Sequence, residues 1–260
     1  MTLKQRNFIF SFLLLISIVA LISYIILTLY VYIGDGGVAF FSLYRLDLLL
    51  IYFLQLSFVL AIMLISKNFY KTSISADFYF FVLFIFSMEF ELFRLFILFS
   101  DIFRPDINSL RLLYRLIYLG YFIGLSSLFL FSFFSLSLSY QRIGRLSLWM
   151  IVFSVFMAWF MPLNTSLFFS SGIPLPLFTR AFGIFSVGVC ILSVICIANG
   201  HDEYSSRFDI KKALFLIFII IGRAILFFMD SPALYIIIAF LLLVTGSIYI
   251  IRKLYQKEIL

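Results

Sequence analysis

The stretch FIFSFLLLISIVALISYIILTLYVYI, residues Phe8–Ile33, carries no charged side chain. As an α-helix its 26 residues would extend about 39 Å, more than the roughly 30 Å of hydrocarbon in a bilayer. The rest of the chain has the same character, since 65% of the 260 residues are hydrophobic and 12% are charged. Soluble domains average about half apolar and a quarter charged residues. The sequence therefore predicts an all-α polytopic integral membrane protein.

Apolar segments of comparable length recur along the chain and are separated by short polar breaks. We predict eight spans: Phe8–Ile33, Asp47–Ile65, Phe78–Phe99, Leu112–Ser139, Leu146–Met161, Ala181–Asn199, Ala213–Met229 and Ala233–Ile251. Each approaches the roughly 20 residues that a membrane crossing needs. Because the spans occupy most of the sequence, we expect a single transmembrane helical domain over residues 1–260.

Basic residues are concentrated at the two chain ends and in every second break between the predicted spans. With eight spans these places share one side of the membrane, and they hold 12 of the 19 basic residues: Lys4, Arg6, Lys67, Lys71, Arg142, Arg145, Arg207, Lys211, Lys212, Arg252, Lys253 and Lys257. The opposite breaks hold Arg45, Arg104, Arg111 and Arg180. The positive-inside rule then predicts a protein of the plasma (inner) membrane with both termini in the cytoplasm.

The formal net charge of +7 lies wholly on the cytoplasmic side of this topology, because the charges elsewhere cancel. A basic rim of this kind is attracted to anionic lipid head groups. Membrane lipids are therefore the expected partners of the rim, and a nucleic-acid partner is not predicted. A partner protein or a second copy of the chain stays open.

Two strings in the predicted third and seventh spans resemble each other. Arg94 is followed by LFILFS and Asp101, and Arg223 is followed by AILFFM and Asp230. The two arginines are 129 residues apart, about half of the chain. This spacing suggests a parallel 4+4 helix repeat with half-repeats 1–135 and 136–260, an arrangement known from transporters.

Ionisable residues inside the predicted spans are the first candidates for function, since each costs roughly 2.5–3.5 kcal/mol on insertion scales. At about 100° per residue, Ser87, Glu91, Arg94 and Asp101 form one stripe of the third span, where Glu91 and Arg94 can pair. Glu89 lies on the opposite side of that helix. We expect Arg223, at similar depth, to form a salt bridge with Glu89 or Glu91.

A second stripe runs inward along the fourth span through Arg111, Arg115 and Tyr118. With Arg180 at the start of the sixth span, it predicts an outward-opening polar vestibule with Arg94 at its floor. The predicted ligand-binding or intramembrane polar cluster comprises Glu89, Glu91, Arg94, Asp101, Arg111, Arg115, Tyr118, Arg180, Arg223 and Asp230. The same charges could instead pair with one another and hold the helices in register.

No catalytic motif stands out, whether a Gly-x-Ser-x-Gly elbow, a HExxH pair or a glycine-rich phosphate loop. The single histidine, His201, lies between spans, so neither a metal site nor a cofactor is predicted. Gly120 and Gly124 form a GxxxG pair, which favours close helix packing within the chain or in a dimer. We expect a non-enzymatic membrane module that senses a ligand or scaffolds a partner; the alternative is a small-solute permease.

Overall fold

The computed structural model describes residues 3–34, 46–69, 75–99, 103–136, 143–168, 174–200, 210–228 and 233–259. Over these ranges the chain forms eight helical segments and one short sheet, so the predicted helical fold is confirmed. The helices are α1 (Leu3–Gly34), α2 (Leu46–Phe69), α3 (residues 76–98), α4 (Ile107–Phe134), α5 (Ile143–Phe160), α6 (Thr179–Ala198), α7 (Ile210–Phe228) and α8 (Ala233–Ile259).

Six of the helices contain stretches long and apolar enough to cross a membrane. They are Asn7–Ile33, Leu49–Lys67, Ile107–Phe134, Ile143–Phe160, Thr179–Ala198 and Tyr235–Tyr255. The remaining two differ for separate reasons: α3 is interrupted along its length, and α7 carries Lys211, Lys212 and Arg223. The fold is therefore that expected of a membrane protein with at least six spanning helices.

The first part of α3, Ala76–Phe86, lies at the centre of the molecule, and each of its residues is buried. A helix that is apolar on all sides requires neighbours all round. On one side the Phe80 ring stacks on the Phe134 ring of α4 at 5.4 Å. On another, the Phe10 ring of α1 meets the Tyr79 ring edge-on at 6.0 Å. Because α3 is enclosed in this way, its polar groups are removed from the surrounding medium.

In the middle of α3, Ser87–Leu92 form a 3₁₀ segment, and the α-helix resumes at Phe93–Leu98. Runs of 3₁₀ helix longer than three or four residues are uncommon and often mark functional hinges. A 3₁₀ helix has about three residues per turn, so Ser87 and Glu91 are about 120° apart rather than the 40° of an α-helix. The single polar stripe predicted from α-helical spacing is therefore wrong over this segment.

A short sheet lies in the connection from α5 to α6. Its strands are β1 (Leu163–Phe168) and β2 (Pro174–Pro176), paired antiparallel with Leu163 opposite Pro176. The Leu177 amide extends the pairing at the end next to α5 and α6 by donating to the Pro162 carbonyl at 2.8 Å. The two prolines of β2 have no amide N–H to donate to β1, so the backbone pairing between the strands is short.

In the second half of the chain, α7 and α8 pack closely at glycines, and α5 and α6 pack against α4. Helices α7 and α8 are antiparallel, and a Cβ on Gly222 would lie 2.6 Å from the Ala239 carbonyl. The Phe215 and Tyr249 rings stack across the same interface at 4.0 Å. Helices α5 and α6 each pack against α4 and leave a groove between them. Close approach at small residues is the usual solution where helices associate within lipid.

Candidate functional site

Arg94 is buried in the last part of α3 and reaches the C-terminal end of α7. Its Nη1 donates to the Leu226 carbonyl at 3.4 Å and its Nη2 to the Phe227 carbonyl at 3.0 Å. The last carbonyls of a helix have no partners within it and form the negative end of the helix dipole. The guanidinium also lies 4.6 Å from the centre of the Phe227 ring. Arg94 therefore caps α7 from a different helix.

Glu91 lies beside the same arginine on the 3₁₀ segment. Its Oε2 is 3.6 Å from Arg94 Nη2, and both side chains are buried. That distance is short enough for an ion pair but too long for a hydrogen bond. Neither carboxylate oxygen of Glu91 has a hydrogen-bond partner. The guanidinium of Arg94 is thus held mainly by backbone carbonyls, with Glu91 as a looser companion.

Arg223 is buried between α3 and α4. Its Nη1 donates to the Phe84 carbonyl at 3.5 Å and its Nη2 to the Gly120 carbonyl at 3.4 Å. The guanidinium also lies 4.6 Å from the centre of the Phe84 ring. Its planar fork of donors suits two carbonyls at once.

The predicted salt bridge from Arg223 to Glu89 or Glu91 is wrong. Among the described side chains, the carboxylate oxygens of both glutamates lie beyond 4 Å from the guanidinium. The cause is local, because the 3₁₀ turn redirects Glu89 and Glu91 relative to an α-helix. Arg223 meets backbone oxygens instead.

The GxxxG pair of α4 makes this arrangement possible. A Cβ on Gly124 would overlap the guanidinium of Arg223. A Cβ on Gly120 would overlap the Phe90 side chain and lie 2.9 Å from the Ser87 carbonyl. Of the two packing roles considered from sequence, the pair performs the one within the chain, against α3 and α7.

Glu89 points toward α1 from the 3₁₀ segment. It is buried, and neither of its carboxylate oxygens has a hydrogen-bond partner. The Ser17 hydroxyl of α1 lies beside the carboxyl but outside hydrogen-bond geometry. On the neighbouring side, Gln55 of α2 donates to the Met88 carbonyl at 3.4 Å. Glu89 is therefore a buried acid without a cationic partner in the described part of the chain.

The residues predicted to line the outer vestibule, other than Arg94, lie in different surroundings. Arg111 and Arg180 are exposed. Arg115 is half-buried, with its guanidinium 4.8 Å from the centre of the Trp159 ring of α5. Tyr118 is fully buried, and its hydroxyl donates to the Pro174 carbonyl at 2.8 Å.

Tyr118 is nevertheless connected to the buried arginines. Its ring lies 6.3 Å from the Phe227 ring, on which Arg94 rests, and 5.9 Å from the Phe182 ring of α6. The structure thus associates Tyr118 with Arg94 and leaves Arg111, Arg115 and Arg180 toward the surface. Asp101 and Asp230 lie outside the described residues.

A small cavity of about 50 Å³ adjoins Arg223, with Tyr121 and Cys190 in its wall. Arg223 Nε has no hydrogen-bond partner among the residues that the structure describes. A cavity of this size with a free donor has room for water. Sequence inspection missed Cys190 and the carbonyls of Phe84 and Gly120 as parts of the site. The close approach at GxxxG was the available signal for the second carbonyl.

Over the described ranges, no group of three or more His, Cys, Asp or Glu side chains is placed to hold a metal ion. Comparison with models of known protein families, with curated proteins and with solved structures finds no match to this chain. The chemistry of the buried Glu89, Glu91, Arg94 and Arg223 is consequently the basis for inferring a function.

Proposed function

We propose that the chain crosses the plasma (inner) membrane eight times, with both termini in the cytoplasm. Helix α3, with its 3₁₀ segment, is about 37 Å long and α7 about 28 Å, close to or above the roughly 30 Å needed. Both pack against neighbouring helices, and Glu89, Glu91, Arg94 and Arg223 are buried there. The bias of basic residues toward alternate breaks supports the same topology.

The 4+4 repeat is part of this proposal. In its favour, Arg94 and Arg223 occupy corresponding places in α3 and α7, and each contacts the helix that carries the other. One difference sets the described parts of the halves apart: α7 is α-helical over Ile210–Phe228, whereas α3 contains the 3₁₀ segment. A duplication followed by divergence at α3 accounts for this difference.

We infer that the protein is a non-enzymatic membrane module that senses a ligand, or scaffolds a partner, from its outer face. The observation that carries the proposal is a continuous set of contacts from the sheet to the 3₁₀ segment. The Pro174 carbonyl accepts from Tyr118, the Tyr118 ring packs on Phe227, and Phe227 supports Arg94 beside Glu91. A ligand or partner that moves the sheet would act on the buried charges.

A sensor also requires an element with two arrangements whose balance the ligand shifts. The 3₁₀ segment Ser87–Leu92 is suited to this, because its conversion to α-helix would rotate Glu89 and Glu91. Four buried carboxylate oxygens without hydrogen bonds favour such a change, since unsatisfied buried polar atoms cost roughly 1–3 kcal/mol or more each.

Hydrogen–deuterium exchange of the 3₁₀ segment in the Tyr118→Phe variant tests the proposal. Loss of the hydroxyl should increase exchange of the amides of residues 87–92, although Tyr118 lies on another helix. Tyr24→Phe is a matched control, because the buried Tyr24 hydroxyl also donates to a carbonyl, that of Leu49, at 2.8 Å. We expect Tyr24→Phe to lower stability without that increase. Equal exchange of residues 87–92 in both variants would argue against coupling from the sheet.

The permease remains the second candidate, and the state of Glu89 favours it. A buried acid without a cationic partner is a suitable proton carrier in a transporter. In vesicles containing the protein and an internal pH-sensitive dye, an imposed potential should drive proton entry. Glu89→Gln should abolish it, whereas the exposed control Arg111→Gln should not. Entry no faster than in protein-free vesicles would eliminate a proton path through Glu89 that operates without solute.

A further inference from the structure

The groove between α5 and α6 is a separate feature of the molecule, and α4 forms its floor. One cavity, of about 400 Å³, lies between Phe156 and Phe160 of α5 and Phe182 of α6. A second, of about 380 Å³, continues past Trp149 and Phe153. Both include Phe185, so they are two parts of one groove. Each volume falls in the range of about 300–1,000 Å³ that is usual for small-molecule sites.

The lining of the groove is apolar and bulky. Between Leu146 and Phe160 it follows α5 for about 21 Å, roughly two-thirds of the hydrocarbon thickness. Helix–helix contacts in membranes favour small residues at the interface, whereas aromatic rings from α5 and α6 form these walls. A flexible chain fits such walls better than the side of another helix does.

One end of the groove carries a positive charge. Arg115 lies seven residues before Phe122, which lines the groove, and hence about 10 Å along the same face of α4. Its guanidinium rests on the Trp159 ring near the last residues of α5. An arginine that rests on a tryptophan at one end of an apolar groove matches a phospholipid, whose charged phosphate adjoins its acyl chains.

We propose that the groove binds an acyl chain of an anionic phospholipid, whose head group is recognised by Arg115. This site is distinct from the buried charges of α3 and α7, so its test does not depend on the sensor proposal. It is also a specific site, in contrast with the surrounding lipid shell. Occupancy should therefore depend on the head group as well as on the acyl chain.

The protein supplies its own reporters, since Trp149 lines the groove and Trp159 contacts the Arg115 guanidinium. In the Trp149→Phe variant, quenching of Trp159 fluorescence is measured in vesicles of unlabelled phosphatidylcholine. Phosphatidylglycerol or phosphatidylcholine with brominated acyl chains is then titrated into these vesicles. We expect brominated phosphatidylglycerol to reach half-maximal quenching at a fraction about five-fold lower than brominated phosphatidylcholine does. A factor of about five corresponds to the attraction of one basic residue for an anionic membrane surface.

Matched variants separate the head-group contact from general lipid contact. In the same background, Arg115→Gln should remove the preference and Arg115→Lys should retain much of it. Arg111 is exposed and lies one helical turn before Arg115, and Arg111→Gln should leave the preference for the anionic lipid unchanged. Trp149 lines the same groove, so in the Trp159→Phe variant its quenching should show the same preference and lose it with Arg115→Gln.

Three results would overturn the proposal. Identical curves for the two brominated lipids would show an ordinary lipid shell. A preference that survives Arg115→Gln would place head-group recognition elsewhere. The third result has two parts: quenching by both lipids weakens as the protein-to-lipid ratio rises, and a Phe185→Cys variant forms disulfide cross-links between chains. Together they would show that a second copy of the chain occupies the groove.

Discussion

Arg94 on α3 and Arg223 on α7 each donate a hydrogen bond to the backbone of the helix that carries the other. Arg94 reaches the carbonyls of Leu226 and Phe227, and Arg223 reaches the carbonyl of Phe84. Two buried cations thereby join the two helices without a direct bridge from Arg223 to a carboxylate. Carbonyl dipoles provide most of the compensation, and Glu91 adds a looser ion pair to Arg94, which leaves Glu89 available for another role.

The position of Arg223 predicts a cost for any side chain at Gly124. Gly124→Ala places a methyl group where the guanidinium lies, so we expect a loss of about 1–3 kcal/mol of stability, as for other overpacked cores. Gly188→Ala is the control, because nothing lies within 4 Å of its added Cβ. The control should be neutral or gain up to about 1 kcal/mol from helix propensity. Thermal unfolding in detergent measures both.

A double-mutant cycle with Arg223→Ala identifies the cause of that cost. Once the guanidinium is removed, Gly124→Ala should no longer destabilise the protein, giving an interaction term of roughly 0.5–3 kcal/mol. Additive effects of the two substitutions would mean that the methyl group meets something other than Arg223.

Arg94 and Glu91 predict a second pattern of coupling. Arg94→Gln should destabilise the protein by about 3–5 kcal/mol, because it removes a cap of α7 and leaves Glu91 without its cation. Adding Glu91→Gln should recover part of this loss, whereas adding Glu89→Gln should not, since Glu89 faces α1. Chemical denaturation of the four variants in detergent provides the comparison. Equal recovery by both glutamine substitutions would contradict the separation of the two glutamates.

Sequence reasoning succeeded where one residue type has one physical meaning. Long apolar segments predicted the helices, and buried Glu91 and Arg94 lie together near the spacing expected. It failed at Arg223, because the partners of that residue are carbonyls that every residue possesses. The 3₁₀ segment was equally invisible, since SMEFEL has no residue that excludes an α-helix.

The outer stripe shows a different limit. Helical spacing correctly places Arg111, Arg115 and Tyr118 along α4, but it does not say which neighbour each will meet. Trp159 draws Arg115 toward α5, and the Pro174 carbonyl draws Tyr118 under the sheet. Those contacts depend on how α5, the sheet and α6 fold back on α4, which periodicity alone does not encode.

The beginning of α4 predicts a pH-dependent change outside the membrane. The Asp106 carboxylate accepts from the Ser109 amide at 3.3 Å as the N-cap. Hydrogen bonding to Ser109 lowers the pKa of Asp106 below its ordinary value of 3.8. A lowered folded-state pKa stabilises the cap above that ordinary value, and the contribution is lost as pH falls through the lowered pKa. Protection of the amides of residues 107–110, relative to their intrinsic exchange rate at each pH, should therefore fall below about pH 3.8 in the native protein but be low already at neutral pH in Asp106→Ala.

The topology itself is testable with single cysteines in a chain whose Cys190 and Cys196 are replaced by serine. Cysteines at Ser73 and Ser205 should react only with reagent supplied from the cytoplasm, because the adjoining breaks carry most of the basic residues. Cysteines at Gly36, Asn108, Ser170 and Ser231 should react only from outside. The pair Ser73 and Asn108 reports on α3, and the pair Ser205 and Ser231 reports on α7, the two helices whose crossing is proposed. Reaction of Ser73 and Asn108 from the same side would mean that α3 enters the bundle without crossing, and that the buried charges of α3 and α7 do not mark a path across the membrane.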